Sequence, residues 1–224
     1  MKEVVLISAS PRAENETASE YFAALEEKCI AADGLHISRI NVRQSLKNGL
    51  TSDAYAAIFG ADAVVFSFPL YFFCLPGMLM RFLQGYYQFC LQHMDNAKNP
   101  KIYAVVNCGF PQPEICSDAA RVIQSFGRAI GAEYRFGVLI GGGGVVHGAK
   151  EAPFMKKTNE KLTAVFSLMG RDIAESGAAP AGNILISLNM PQRLYHFMGD
   201  RGWILQAKSN GLRKKDLYGR PYGK

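Results

Sequence analysis

Short apolar runs alternate along this chain with segments that have the apolar spacing of a helix. Four of the runs are almost continuously apolar: Val4–Ile7, Ala63–Phe68, Ile102–Val106 and Phe136–Ile140. Such runs are typical of strands that are buried on both faces, as in a parallel sheet. A fifth segment, Leu35–Val42, alternates apolar and polar residues, which indicates a strand nearer the edge of that sheet.

The segments between the runs predict helices that pack on the faces of the sheet. Apolar residues recur at helical spacing in the segments that begin at Ala18, Met78, Ala119 and Leu162. Strands and helices that alternate in this way form right-handed βαβ units and a doubly wound sheet. We therefore expect an α/β fold, a flavodoxin-like three-layer sandwich with a five-stranded doubly wound parallel sheet. Ligands bind such sheets beyond the carboxyl ends of the strands, so the loops there are the candidate sites.

The net charge of +6 is concentrated at the end of the chain. Segment 208–224 carries a net +5, because Asp216 is its sole acidic residue and its basic residues are Lys208, Arg213, Lys214, Lys215, Arg220 and Lys224. The rest of the chain is nearly neutral, so we expect no nucleic-acid partner. A solvated tail is the simpler interpretation, and attraction of a dinucleotide, a neighbouring subunit or an acidic surface is the alternative.

Cysteine usage and hydropathy favour a cytoplasmic protein with reduced thiols and no membrane partner. The five cysteines are scattered and form no CxxC pair, so neither a zinc site nor an iron–sulfur cluster is predicted. No apolar run reaches the ~18 residues of a membrane span. The stretch MKEVVLISAS lacks the longer apolar core and the cleavage pattern of a secretory signal.

The first strand-end loop is unusually polar. In LISASPRAENETASEYF an apolar run opens into a loop with Ser10, Arg12, Asn15 and Thr17, and a helical segment follows. Free backbone N–H groups and the positive end of the helix dipole make such a loop an anion site. The loop lacks the glycines and lysine of a Walker loop and does not match GxGxxG. The alternative is a helix N-cap with incidental polarity.

The second strand-end loop carries a further motif. It reads FSFPLYFFCLPGMLMRFLQGYY, with Pro69-Leu70-Tyr71 followed by Leu75-Pro76-Gly77 at the start of an amphipathic helix. Together with Ser10-Pro11-Arg12, Asn15 and Thr17, this order of motifs resembles the NAD(P)H-dependent FMN reductases, a family of flavodoxin-like quinone and flavin reductases. The resemblance covers most of the chain up to the NCGFP loop. The alternative for PLYFFCLP is a hydrophobic loop that packs on its own fold or on a second subunit.

The resemblance implies FMN as the cofactor and NAD(P)H as the hydride donor. In that family the first loop cradles the FMN phosphate, the Pro-x-Tyr loop lines the isoalloxazine ring, and a loop like NCGFP lies at the pyrimidine end of the ring. Backbone N–H groups of the Pro-x-Tyr loop would bond the polar edge of the ring. The candidate cofactor-binding residues are Ser10, Arg12, Asn15, Thr17, Pro69, Leu70, Tyr71, Phe72, Asn107, Cys108, Gly109 and Phe110.

The implied reaction is hydride transfer from NAD(P)H to FMN and onward reduction of a quinone, a flavin or a similar small acceptor. This chemistry belongs to the cofactor and needs no protein nucleophile, so we predict no catalytic side chain and no metal ligand. The fourth strand-end loop, IGGGGVVHGAK, contains four consecutive glycines, which indicates a tight bend or a loop that moves. His147 in that loop is a lone histidine, for which a surface role is the simpler interpretation.

We expect one domain with an extension. Residues 1–180 form the predicted flavodoxin-like FMN-binding domain, and residues 181–224 form a C-terminal extension of the same domain. The extension contains a helix over about 191–210 and the basic tail. Its apolar residues would cover the core or form a dimer face, and the resemblance implies a homodimer.

Two other functions remain open. One is a flavodoxin-like electron carrier without reductase turnover, although such carriers tend to be acidic. The other is a binding or regulatory module with a decayed flavin site. This second alternative is favoured by Glu14 and Glu16, which stand where the family frequently has Gly-Asn-Thr.

Overall fold

The structure is a computed structural model that describes residues 1–12, 17–31, 34–93, 98–175, 180–188 and 190–220. The chain forms two compact units, Met1–Leu188 and Asn189–Lys224. The predicted residue Asn15, together with Glu14 and Glu16, lies outside the described residues. Within the described residues, no helix combines the length and apolar character that crossing a membrane requires.

The first unit is built on a parallel sheet. Its strands are β1 (Lys2–Ser8), β2 (Leu35–Asn41), β3 (Ala63–Pro69), β4 (Lys101–Asn107), β5 (Glu133–Ile140) and β6 (Ile184–Ile186). Every neighbouring pair is parallel, and the order across the sheet is β2-β1-β3-β4-β5-β6. The five apolar segments of the sequence therefore supply the first five strands. Because the chain runs from β1 out to β2 and returns past β1 to β3, the strand order reverses between β1 and β3.

The predicted size of the sheet, five strands, is wrong, because the described chain adds β6. This strand has three residues and pairs in parallel with β5 through Val138↔Ile184 to Ile140↔Ile186. It lies at the edge of the sheet, and Leu185 is 45% exposed. Three residues are too few for the apolar pattern to distinguish a strand from a loop.

Helices cover both faces of the sheet. They are α1 (Ala18–Ile30), α2 (Val42–Asn48), α3 (Thr51–Phe59), α4 (Gly77–Gln92), α5 (Ser117–Ala129), α6 (Gly143–Gly148) and α7 (Lys156–Glu175). One continuous core joins Val5 and Ile7 of β1 to side chains of α3, α4 and α5. Because side chains alternate along a strand, the buried residues Val4 and Leu6 face the opposite layer. There α1 packs against α7 and α6.

Helical periodicity correctly predicted α1, α4, α5 and α7. It did not indicate α2, α3 or α6. The predicted strand Leu35–Val42 is one residue too long, because Val42 begins α2. Asn41 ends the strand and caps the helix, since its Oδ1 accepts the Gln44 N–H at 3.0 Å.

A buried ionic network lies at the amino end of the sheet, away from the strand-end loops. Asp172 of α7 accepts hydrogen bonds from Arg135 Nε at 2.9 Å and Nη2 at 2.6 Å, and from Tyr103 Oη at 2.6 Å. Burial raises the pKa of Asp172, but the hydrogen bonds from Arg135 and Tyr103 outweigh it and hold the pKa below its ordinary value. Lys2 donates to the last carbonyls of α7, at Ile173 and Ala174, each at 2.8 Å.

The second unit contains α8 (Gln192–Ser209) and a 3₁₀ turn, Lys214–Tyr218. Helix α8 is the helix predicted over about 191–210. It ends near Gly211, which has a φ of 75°. That the extension belongs to the same domain as residues 1–180 stays a prediction.

Candidate functional site

A cleft of about 390 Å³ opens where β1, β3 and β4 end. Most of its described lining comes from three places: Ser10, Arg12 and Thr17 to Ser19 after β1, Pro69 to Tyr71 at the end of β3, and Asn107 to Gly109 at the end of β4. This position is the carboxyl edge of the sheet beside the reversal of strand order, where doubly wound sheets bind ligands. The volume is within the range of about 300–1,000 Å³ that is usual for small-molecule sites.

The side of the cleft formed by the first loop contains hydrogen-bond donors and the start of α1. Ser10 and Thr17 are buried and Arg12 is exposed. Thr17 is the N-cap of α1, and its Oγ1 accepts the Glu20 N–H at 3.2 Å. The hydroxyl hydrogen of Thr17 therefore stays available for donation. The first N–H groups of a helix have no intrahelical acceptor, so those of Ala18 and Ser19 are suited to an anion.

The opposite side of the cleft is apolar. Pro69 ends β3, and Leu70 and Tyr71 continue along the wall. We expected backbone N–H groups of this loop to bond the polar edge of a ring, and for two of them this expectation is wrong. Leu70 N–H donates to Asn107 O at 2.8 Å, and Tyr71 N–H donates to Cys74 O at 3.0 Å. These N–H groups hold the loop in place and leave its side chains to form the wall.

The two phenylalanines after Tyr71 form a strained turn. Tyr71 and Cys74 exchange two backbone hydrogen bonds of 3.0 Å, and between them Phe72 and Phe73 have φ values of 47° and 60°. Both values are left-handed, a conformation that costs a bulky residue about 1–3 kcal/mol. Phe72 is 97% exposed, and it is not among the residues that line the cleft.

Phe110, a second predicted contact, also does not line the cleft. Its ring stacks on Phe73, with centroids 6.0 Å apart and planes inclined by 17°. This stacked pair is solvent-exposed. Of the predicted contacts that the structure describes, the cleft therefore gathers all except Phe72 and Phe110. For those two residues, a role in cofactor binding stays a prediction.

Asn107 ties the three loops together. Its side chain is buried, and Nδ2 donates to Ser19 Oγ at 2.9 Å and to Phe68 O at 3.3 Å. A Cβ on Gly143 would lie 2.9 Å from Asn107 Oδ1, so the glycine makes room for this carboxamide. Sequence reasoning did not identify Ser19. Its one signal was a hydroxyl in the first turn of the helix that follows the polar loop.

No protein-family model matches the chain, and the comparison with curated proteins finds no relative. Solved structures do match. The chain is similar to NAD(P)H:quinone oxidoreductase from Methanothermobacter marburgensis, with a TM-score of 0.58 and 13% identity over 80% of this chain and 99% of that one. It is similar to Streptococcus pneumonia TIGR4 flavodoxin, with a TM-score of 0.51 and 15% identity over 78% and 99%. The chain has a flavodoxin-like fold.

A third similar structure is the FMN-dependent NADH-azoreductase from Bacillus anthracis str. Ames Ancestor in complex with FMN. The TM-score is 0.52, with 13% identity over 76% of this chain and 100% of that one. At this identity the similarity establishes the flavodoxin-like fold alone. The fold that the motifs implied is confirmed, and the reductase activity that they implied stays a prediction.

In this flavodoxin-like fold the glycine-rich loop after β5 makes a tight turn. Gly142 has a φ of 66° and precedes the short helix α6. Of this segment, Gly144 reaches the cleft, whereas His147 packs on Tyr21 with ring centroids 5.6 Å apart and is not among the lining residues. Among the described residues, no cluster of three or more His, Cys, Asp or Glu side chains is suited to hold a metal ion.

A buried carboxyl group between α1 and β3 was not predicted. Glu26 belongs to the buried face of α1, and its Oε1 accepts a hydrogen bond from Ser67 Oγ at 2.9 Å. Its Oε2 is buried and has no partner among the described residues. Burial raises the pKa of Glu26 to about 8, although the hydrogen bond from Ser67 acts in the opposite direction. The carboxyl group is therefore neutral at pH 7.

A larger and shallower depression of about 580 Å³ lies on the surface between Lys150 and Ala164. It contains none of the predicted site residues and is lined by residues 150–153 and the first half of α7. Its volume is large because the depression is wide open to solvent. The cleft, in contrast, is enclosed by loops that meet at the ends of the strands. The strand-end cleft is the better candidate for a bound cofactor.

Proposed function

We propose that this chain is an FMN-dependent NAD(P)H oxidoreductase that reduces a quinone, a flavin or a similar small acceptor. One observation carries the proposal. A single cleft at the reversal of strand order combines the start of α1, buried hydroxyl groups and an apolar wall. FMN likewise has a polar end and an apolar end, since it joins a dianionic phosphate to a flat and largely apolar ring.

The residues of the first loop fit the phosphate. Ser10 and Thr17 would donate their hydroxyl groups, and Ala18 and Ser19 would donate their N–H groups at the positive end of the α1 dipole. Arg12 would add a charge-assisted hydrogen bond, which is stronger than a neutral one. Asn15 completes the predicted set, and its contribution stays a prediction.

The residues of the other two loops fit the ring. Pro69, Leu70 and Tyr71 would cover one face and exclude water from it. Asn107 is fixed by Ser19 and Phe68, so its carboxamide and the neighbouring backbone of Cys108 and Gly109 would fix the position of the ring edge. When bound there, FMN would accept a hydride from NAD(P)H and pass two electrons to the acceptor.

The proposal includes two further expectations: a homodimer, which the resemblance implies, and a cytoplasmic location, which cysteine usage and hydropathy favour. All five cysteines are free, which agrees with a reducing compartment. Size-exclusion chromatography with light scattering tests the first expectation. A monomer at micromolar concentration would contradict the homodimer and leave the reductase chemistry to be tested separately.

Steady-state turnover tests the proposed reaction. The FMN-loaded protein is mixed with NADH or NADPH and excess menadione, and oxidation of the nicotinamide is followed by absorbance. We expect catalytic turnover that depends on added FMN. An electron carrier of the same fold would bind FMN and show almost no turnover. A module with a decayed flavin site would take up no FMN at all.

A further inference from the structure

Two cysteines lie at the two ends of the loop that follows β4. Cys108 faces the cleft and is 4% exposed, whereas Cys116, at the end of the 3₁₀ turn Pro113–Cys116, is fully buried. Both are free thiols that interact with each other, and the Cys108 thiol also donates to Phe110 O at 3.4 Å and to Gln112 O at 3.8 Å. The proposed flavin chemistry uses neither thiol group.

The turn after β5 holds this loop closed. Gly143 N–H donates to Cys108 O at 2.8 Å, and Gly142 N–H donates to Phe110 O at 2.6 Å. A Cβ on Gly141 would collide with the carbonyl group of Pro111. The glycines thus allow residues 108–113 of the loop to lie directly on the turn.

The two thiols differ in their readiness to ionise. The hydrogen bond from Cys116 and main-chain hydrogen bonds at Phe110 and Gly142 lower the pKa of Cys108 to about 7, against opposing effects of burial and of the Glu114 carboxylate. The same contact with Cys108, together with burial, raises the pKa of Cys116. Of the two thiols, Cys108 therefore ionises more readily, and it is also the one that lines the cleft.

The other cysteines provide a comparison within the chain. Cys29, Cys74 and Cys90 are more exposed than the pair. Burial raises the pKa of Cys29 and Cys90. If exposure alone governed oxidation, these three thiols would react before the pair.

The geometry points to a peroxide-reactive cysteine pair, in which Cys108 attacks a hydroperoxide that enters through the cleft and Cys116 then closes a disulfide. In the first step the Cys108 sulfur bonds to the distal peroxide oxygen, the O–O bond breaks, and an alcohol or water leaves with the thiol proton. In the second step the Cys116 sulfur attacks the sulfenic acid, the S–S bond forms, and water leaves. Two thiols are oxidised and one hydroperoxide is reduced.

The size of the oxidant follows from the burial of Cys108. Hydrogen peroxide can reach a thiol that is almost buried, whereas a bulky disulfide cannot align with it for exchange. Neither step uses a flavin. This inference and the proposed reductase function are therefore tested separately.

Peptide mapping of the oxidised full-length protein tests the pair. Reduced protein is freed of reductant, treated with one equivalent of hydrogen peroxide at pH 7, alkylated and digested without reduction. We expect a Cys108–Cys116 linkage to appear before Cys29, Cys74 or Cys90 is modified. Earlier oxidation of one of those three, or loss of thiols without this linkage, would overturn the proposal.

Three variants identify the role of each thiol. Cys116→Ser should stop the reaction at a sulfenic acid on Cys108, trapped as a dimedone adduct. Cys108→Ser should slow thiol loss about tenfold and leave Cys116 reduced. The control, Cys90→Ser, should leave the rate unchanged. Equal rates in Cys108→Ser and wild type would show that Cys108 is not the nucleophile.

Discussion

Asn107 Nδ2 lies 2.9 Å from Ser19 Oγ, and this hydrogen bond joins the end of β4 to the first turn of α1. Both residues line the candidate cofactor cleft. The bond connects two of the segments that line the cleft, so it helps to hold them in position. The proposed phosphate and ring contacts lie on either side of it.

A double-mutant cycle measures this bond. We expect Asn107→Ala to destabilise the protein by about 1–3 kcal/mol, because the variant leaves buried partners unsatisfied. Ser19→Ala should cost less, since Asn107 Nδ2 keeps its second acceptor, Phe68 O. In urea unfolding, the two substitutions should couple by about 0.5–1.5 kcal/mol. Purely additive effects would show that the bond contributes nothing to stability.

Arg12 tests the phosphate assignment. Arg12→Ala should weaken FMN binding about tenfold to a hundredfold, because a hydrogen bond to a charged group contributes about 1.5–3 kcal/mol. Quenching of FMN fluorescence on titration measures the affinity. Arg128→Ala removes the same charge from an exposed position on α5 and should leave the affinity unchanged. If both variants bind FMN like the wild type, the phosphate does not contact Arg12.

The turn Tyr71–Cys74 predicts a stabilising substitution. Phe72 is almost fully exposed and has a left-handed backbone, so Phe72→Asn removes strain without loss of packing. Asparagine tolerates this conformation, and we expect a gain of about 1 kcal/mol in the free energy of unfolding. Phe73→Asn should gain less, because it breaks the stack on Phe110. A lower free energy of unfolding in Phe72→Asn would contradict the claim that the backbone of Phe72 is strained.

Glu26 predicts a pH dependence of stability. Its folded pKa is raised to about 8 from an ordinary value of 4.5. Between these values the folded state therefore holds a proton that the unfolded state has lost. The free energy of unfolding should fall as pH rises through this window and level off above it. Glu26→Gln should remove this slope and keep the hydrogen bond from Ser67.

The neighbouring residue provides the control for Glu26. Glu27→Gln makes the same chemical change at a half-exposed position that pairs with Arg39 at 3.4 Å. It should leave the slope in place. The free energy of unfolding is measured by chemical unfolding between pH 5 and 8. If it depends on pH equally in the wild type and in Glu26→Gln, the pKa of Glu26 is not raised by folding.

Asp172 tests the network at the other end of the sheet. Asp172→Asn leaves the Arg135 guanidinium without its buried carboxylate and should cost about 3–5 kcal/mol. Asp118→Asn breaks the exposed pair with Arg121 and should cost less than about 1 kcal/mol. Urea unfolding measures the free energy of unfolding of both variants against the wild type. FMN affinity should stay unchanged in folded Asp172→Asn, because the network lies at the end of the sheet opposite the cleft.

The apolar pattern was sufficient to predict the first five strands, because four of them are buried and have almost continuous apolar runs, and β2 alternates as a strand at the edge of the sheet does. It was insufficient for β6, whose three residues are too few to show a pattern. The strand-end rule also predicted most of the loops that meet at the cleft, since parallel strands end at one edge. These predictions use local sequence and the general geometry of doubly wound sheets.

Features that depend on distant partners could not be predicted in this way. The N–H of Leu70 is taken by Asn107 O, 37 positions along the chain. The left-handed Phe72 and Phe73 occupy positions where glycine or asparagine would have marked the turn. Glu26 lies on the same buried face of α1 as Phe22 and Ile30. The sequence does not show that its carboxyl group is buried, because the burial depends on how α1 packs on the sheet.

The visible absorption spectrum of the freshly purified protein tests the central proposal, that the strand-end cleft holds FMN for reduction by NAD(P)H. We expect flavin bands in the protein fraction, and we expect them to bleach when NADPH or NADH is added without oxygen. A colourless protein that acquires no bands after incubation with FMN, or bands that neither nucleotide bleaches, would contradict it.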